Sequence, residues 1–121
     1  VMLLMRIEDP SDRVREAVHA AAAWFDEVAV RGKRIETVDD PTRPGLRKRM
    51  LVDDPEAPPM WARFYEIGTN RPFFCNRDGI KLYEYEQLDQ ERSMGYAWFG
   101  NWGERVLNEY PKWRNRWAMS E

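Results

Sequence analysis

Turn-forming residues cut the middle of this chain into pieces too short for long helices. DDPTRP at 39–44 holds two acids and two prolines, and DDPEAPP at 53–59 holds three acids and three prolines. Proline removes a backbone donor and biases the residue before it away from helix, so both stretches read as loops. Gly68-Thr69-Asn70 and Asn76-Arg77-Asp78-Gly79 add two tight turns. The pieces left between them are extended: RIETV around Ile35, RKRMLV at 47–52, Trp61 to Ile67, and Arg71 to Phe74. In the third piece a strand alternation places Trp61, Arg63 and Tyr65 on one side and Ala62, Phe64 and Glu66 on the other.

Helical periodicity is confined to the flanks. Ser11 is a natural N-cap after Pro10, and Val14, Val18, Ala21, Phe25 and Val28 recur at steps of three and four, making one apolar face. Ala20 to Ala23 keep that face shallow, so a second helix can approach closely. His19 lies at the edge of the stripe and reads as a boundary residue. A shorter helical pattern runs past Glu86, through Leu88, Arg92 and Met94 to Trp98, and is expected to stop near Gly100. The last segment places Val106, Tyr110, Trp113 and Trp117 at four-three-four spacing, with Pro111 expected to kink it or divide it in two. The fold class expected from this pattern is mainly α with a small antiparallel β region.

At 121 residues, 43% apolar and 33% charged, the chain can build one modest core. Lys plus Arg total 19 against 21 Asp plus Glu, a net charge of -2, which argues against a general nucleic-acid binder. No stretch approaches the roughly 20 apolar residues that span a bilayer, so no membrane partner is expected. VMLLM at the start lacks a basic segment before it and is not a signal peptide; the chain is expected to be the C-terminal part of something longer. The single cysteine, Cys75, permits no internal disulfide, and with His19 it is too little for a zinc site of Cys and His alone. No histidine accompanies Cys75 in sequence, which speaks against a thiol nucleophile.

The chemistry concentrates in WARFYEIGTNRPFFCNRDG, residues 61–79. Taken singly, Trp61, Phe64, Tyr65, Phe73 and Phe74 are ordinary packing residues of a small sheet, with arginine stems laid over them. Arg63, Arg71 and Arg77 together are harder to assign to packing, because three like charges this close need something anionic between them. Glu66 and Asp78 are the internal candidates for that charge. The functional reading is an anion grip with aromatic walls: guanidinium for a carboxylate or phosphate, ring faces for sugar or base. An acidic sugar, a nucleic-acid strand and an acidic peptide all satisfy it. Trp98, Trp102, Trp113 and Trp117 read as core and helix-packing residues, while Tyr65 reads either way.

MWARFYEIGTNRPFFCNRDG, followed by IKLYEYEQLDQERSMGYAWFGNW and YPKW, resembles the C-terminal region of polysaccharide lyase family 10, the pectate lyases. EDPSDRVREAVHAAAAWF and GKRIE resemble the helix and strand that precede that block, so the resemblance spans nearly the whole chain. It implies part of an α/α toroid and a secreted, calcium-dependent enzyme that cleaves polygalacturonate by β-elimination. Residues 1–121 are then the C-terminal portion of a catalytic domain about two to three times this size.

By motif position Arg63 and Arg77 resemble the substrate-binding arginines, with Arg71 and Tyr65 as further substrate contacts. The base, an arginine in these lyases, and the acidic calcium ligands have no match here and are expected upstream. Asp53, Asp54 and Asp78 are chemically able to bind calcium, yet loop acids of this kind more often form turns. The implied partners are polygalacturonate or oligogalacturonate and the N-terminal part of the same domain. The alternative from another class is a non-catalytic binding module for acidic glycans or another polyanion.

Overall fold

In the computed structural model, which describes residues 1–117, Ser11 caps the first helix as its place after Pro10 predicts. Its hydroxyl accepts the Val14 N–H at 3.3 Å, supplying one of the partners that a helix start lacks. The helix, α1, runs Asp12–Val28 and buries Val18, Ala22 and Val28. The chain divides into two units: Val1–Ala29 with the residues from Trp102 on, and Val30–Asn101.

In the first unit α1 packs against the last helix, α3, Glu104–Trp117. The small alanines permit the approach that the sequence suggested, and Val106 and Trp113 of α3 are buried. His19 is a boundary residue as expected. Its Nδ1 shares a 2.5 Å hydrogen bond with the Tyr110 hydroxyl, and its ring meets Trp113 edge-on at 5.2 Å. The break expected at Pro111 does not occur; the helix is continuous through it. Pro111 is exposed, and the buried Val106 and Trp113 anchor the helix on either side of it.

In the second unit the loops at 40–46 and 54–60 isolate a long hairpin. Strands β1 (Lys33–Asp39) and β2 (Arg47–Asp53) pair antiparallel from Lys33↔Asp53 to Asp39↔Arg47. Opposite charges close both ends of the register: Lys33 pairs with Asp53, and Arg47 lies 3.8 Å from Asp39. Asp40 starts the connection by accepting the Thr42 N–H at 2.9 Å and its hydroxyl at 2.8 Å, bonds that hold its carboxyl below the usual range. Short ladders follow: β3 (Trp61–Ala62) pairs with β6 (Phe99–Gly100), and β4 (Phe74–Cys75) pairs with β5 (Lys81–Leu82). Between β5 and β6 lies a six-residue helix, α2, Gln90–Gly95, whose N-cap Asp89 accepts the Arg92 N–H at 2.8 Å.

The expectation of a mainly α chain forming part of an α/α toroid is corrected by these elements. With 37% of residues helical and 22% in strands, the fold is mixed α and β, its strands in small antiparallel sheets. α1 and α3 are the only long helices among the described residues, and two packed helices are not a toroid. The cause lies in the turn formers between 39 and 79, which admit hairpins and exclude long helices. Two local expectations change as well. The strand at Trp61 is two residues long, so Trp61 and Ala62 are both buried and Arg63 and Phe64 both exposed, without alternation. The helix past Glu86 ends at Gly95, and the aromatic residues after it return to the sheet.

The core of the second unit is an aromatic cluster of Phe74, Tyr85, Leu88 and Trp98, flanked by Ile35 and Leu51 of the first hairpin and by Phe99. Phe74 meets Tyr85 edge-on at 5.5 Å and Trp98 at 5.8 Å, the offset geometry that aromatic quadrupoles favour. Replacing a buried Phe at such a centre removes its contacts and leaves a cavity. Phe74→Ala is therefore expected to cost about 3–5 kcal/mol, read as a shift of the urea unfolding midpoint by intrinsic tryptophan fluorescence.

Candidate functional site

Arg63 is positioned by main-chain pairing before its side chain is considered. Its N–H donates to Trp98 O at 2.8 Å, one step beyond the β3–β6 ladder, so the chain leaves the sheet at a fixed point. The side chain then turns along the partner segment: Nε donates to Ala97 O at 2.9 Å, and the guanidinium lies 5.0 Å from the Tyr96 ring centroid. The residue remains exposed. A guanidinium held by a carbonyl and an aromatic face is a pre-oriented cation at the surface.

Arg92 of α2 comes to the same ring. Its guanidinium lies 5.3 Å from the Tyr96 centroid and 5.2 Å from that of Trp98, and its Nε donates to Cys75 O at 3.2 Å. The Trp98 indole N–H in turn donates to Arg92 O at 2.9 Å.

Arg77 projects from the Asn76–Gly79 turn, built as the sequence predicts. Gly79 N–H closes the turn on Asn76 O at 3.1 Å with φ +76° at the glycine, and Asp78 accepts the Ile80 N–H at 3.0 Å. Asn76 Oδ1 also accepts the Asp89 N–H at 2.8 Å, tying the turn to the start of α2. Arg77 accordingly pairs with Glu91 of α2, both side chains well exposed, at 75% and 61%.

Arg71 is placed apart from these two. It stacks 4.1 Å from the Tyr83 ring centroid, lies 3.8 Å from the Glu84 carboxylate, and lines a cleft of about 320 Å³ with Lys33, Tyr83, Glu84 and Tyr85. Tyr65 faces inward: its hydroxyl accepts the Ala62 N–H at 2.9 Å, and burial pushes its phenol up. Thus α2 and the segment after it gather Arg63 and Arg77, while Arg71 lies at a separate cleft and Tyr65 is turned to the main chain of Ala62.

The acids expected to balance these arginines do other work. Asp78 shapes its own turn, and Glu66 accepts hydrogen bonds from the Tyr83 hydroxyl, from Lys81 Nζ at 3.0 Å and from the Thr69 hydroxyl at 2.8 Å. The Tyr83 bond foremost, then those from Lys81 and Thr69, draw the Glu66 carboxyl down to about 2. The counter-charges come from beyond the motif, Glu84 for Arg71 and Glu91 for Arg77. Glu91, Arg92 and Tyr96 were absent from the sequence expectation. The available signal was ERSMGYAWFG, charged residues running straight into aromatics, which periodicity assigned to one continuous helix.

No three His, Cys, Asp or Glu residues converge as a metal-binding group among the described residues. Asp53 pairs with Lys33, and Asp54 lies 3.2 Å from Arg34 Nε and accepts the Glu56 N–H at 3.1 Å, the turn-forming use expected of loop acids.

The family profile described as pectic acid lyase matches residues 1–107. Two solved structures from Cellvibrio cellulosa are similar. One is a mutant of a family 10 polysaccharide lyase in complex with trigalacturonic acid, 34% identical, with a TM-score of 0.70 over 90% of this chain and 32% of that one. The other is the family 10 polysaccharide lyase, 33% identical, with a TM-score of 0.69 over 89% of this chain and 32% of that one. The chain thus spans about a third of the length of the structures it matches. No curated protein gives a significant match.

The Glu66 network carries a pH signature. Because its folded-state carboxyl is depressed from 4.5 to about 2, the stabilisation it gives is present above pH 4.5 and is lost as pH falls toward 2. Glu66→Gln is expected to flatten the acid-unfolding profile across that window, followed by circular dichroism. An unchanged profile means that the three hydrogen bonds do not stabilise the folded state.

Proposed function

This chain belongs to the pectic acid lyase family, and on that premise we propose that it is the C-terminal portion of a pectate lyase catalytic domain that cleaves polygalacturonate by β-elimination. The observation that carries the reading is the fixed, exposed Arg63, pinned to Ala97 O and laid over Tyr96. It stands in a chain 34% identical to a lyase in complex with trigalacturonic acid.

The reaction requires such a group. Removing the proton at C5 of a uronate puts a second negative charge on the adjoining carboxylate, which passes to the leaving oxygen as the C4–O bond breaks and the C4=C5 double bond forms. Oriented donors aimed at that charge stabilise the transition state more than the ground state. In this reading Arg63 holds one carboxylate through charge-assisted hydrogen bonds. Arg77 holds another by exchanging its partner: an exposed ion pair such as Arg77–Glu91 contributes only about 0.2–1 kcal/mol, so a sugar carboxylate can displace Glu91 at small cost. Arg71 and Tyr65 are given secondary roles, Arg71 at the neighbouring cleft and Tyr65 in holding the turn of chain that carries Arg63. The calcium implied by the family has no cluster of three acidic, His or Cys residues among the described residues, and the charge work assigned to them is that of the guanidinium groups. Proton removal is assigned to the remainder of the domain. Secretion follows from the same family reading, since the polymer lies outside the cell.

Trigalacturonate titrated into the protein should bind with an affinity that falls as salt is added. Arg63→Ala is expected to weaken binding about tenfold or more, equivalent to ~1.4 kcal/mol, and Arg77→Ala by a smaller factor because Glu91 already competes there. Equal affinity in the wild type and both variants would overturn the assignment. With polygalacturonate, the ultraviolet absorbance of unsaturated uronate ends distinguishes elimination from binding alone.

A further inference from the structure

Two cations share the Tyr96 ring, and only one of them lies in the motif. We propose that Arg92 is a positioning residue for the Arg63 grip, fixing the strip on which Arg63 rests and adding a positive charge beside it. This rests on the galacturonate-binding reading of Arg63.

The connectivity is short. Arg63 depends on residues 96–98: the Tyr96 ring, the Ala97 carbonyl and the Trp98 carbonyl. Arg92 holds that strip from the other direction, through its guanidinium near both the Tyr96 and Trp98 rings and through its main-chain carbonyl, which accepts the Trp98 indole N–H at 2.9 Å. Its Nε bond to Cys75 O at 3.2 Å fastens α2 to β4, the strand that leads into the Arg77 turn. One side chain thus touches the supports of both proposed clamps.

The charge matters separately from the anchoring. Among the described residues no carboxylate pairs with Arg92; its side chain meets a carbonyl and two aromatic rings, and the neighbouring Glu91 is engaged by Arg77. A guanidinium compensated only by dipoles and ring faces, half-buried where the effective dielectric falls below that of water, raises the potential felt by an anion arriving at Arg63.

The test compares Arg92→Lys and Arg92→Gln with the wild-type chain. The Trp98 indole N–H resonance serves as a fold control, since its acceptor is the main-chain carbonyl at 92 and survives substitution. With that signal in place, Arg92→Gln is expected to weaken trigalacturonate binding about tenfold and flatten its salt dependence, and Arg92→Lys to stay within about threefold of wild type. Equal losses in both variants would reduce Arg92 to a structural anchor, and no loss in either would remove it from the site. The Arg63 Nε–H resonance gives a readout independent of the sugar. Its protection from exchange should fall in Arg92→Gln, and undiminished protection overturns the positioning claim. If the wild type does not bind trigalacturonate while Arg63 Nε–H responds to Arg92→Gln, the ligand assignment fails and the positioning stands.

Discussion

Trp98 is the residue on which the second unit and its arginine site both depend. Its ring is buried against Phe74 in the aromatic core, its indole N–H is satisfied by Arg92 O, and its carbonyl takes the Arg63 N–H. Those three bonds and contacts are made by one side chain and its own backbone, so packing and site geometry are not separable there. A shift of the core moves the carbonyl that aims Arg63. The short ladders allow this economy because they leave the strand ends, where Arg63 and the Arg77 turn sit, tied to core residues instead of to long loops.

Charge in this unit is distributed by a simple division of labour. Glu66 is consumed by Tyr83, Lys81 and Thr69, which stabilise its ionised form and hold the hairpin at residues 64–73 to β5 and the residue after it. Arg71 and Arg77 are left with exposed acids, Glu84 at 3.8 Å and Glu91, and Arg92 with a carbonyl and two rings. Exposed pairs of that kind are weak and screened by salt. The strongly bound carboxylate serves the fold, and the weakly bound ones leave cations able to exchange partners.

Much of this was legible in the sequence. The Ser11 cap, the apolar stripe from Val14 to Val28, the first hairpin and the two turns around Gly68 and Gly79 all follow from local rules, and local rules suffice because each of these elements is decided by its own residues. The family was legible from the long 61–79 motif and its flanks, which the pectic acid lyase profile and the Cellvibrio structures bear out. What failed was the balance of helix and strand. YAWFG sits at helical spacing after α2, yet Trp98, Phe99 and Gly100 are drawn into a sheet by pairing with Arg63, Ala62 and Trp61, partners more than thirty positions away. Division of the last helix at Pro111, one of the two outcomes expected there, does not occur, because burial at Val106 and Trp113 outweighs one lost hydrogen bond. Arg92 was invisible as a site residue for the same reason: only the fold of the strip brings it to Tyr96.

The kind of arginine found here constrains the chemistry this part of the molecule can do. A guanidinium whose Nε is fixed by a carbonyl and which lies over an aromatic ring is oriented before any ligand arrives. That suits it to binding charge as it develops and unsuits it to accepting a proton, because deprotonation needs a cation with its pKa forced down by burial and neighbours. Arg63 and Arg77 are exposed. Holding the carboxylate and removing the proton therefore demand opposite environments. Within a β-eliminating enzyme it is physically consistent for the first task to sit on an open, dipole-supported surface such as this one, and for the second to be carried by a different part of the domain.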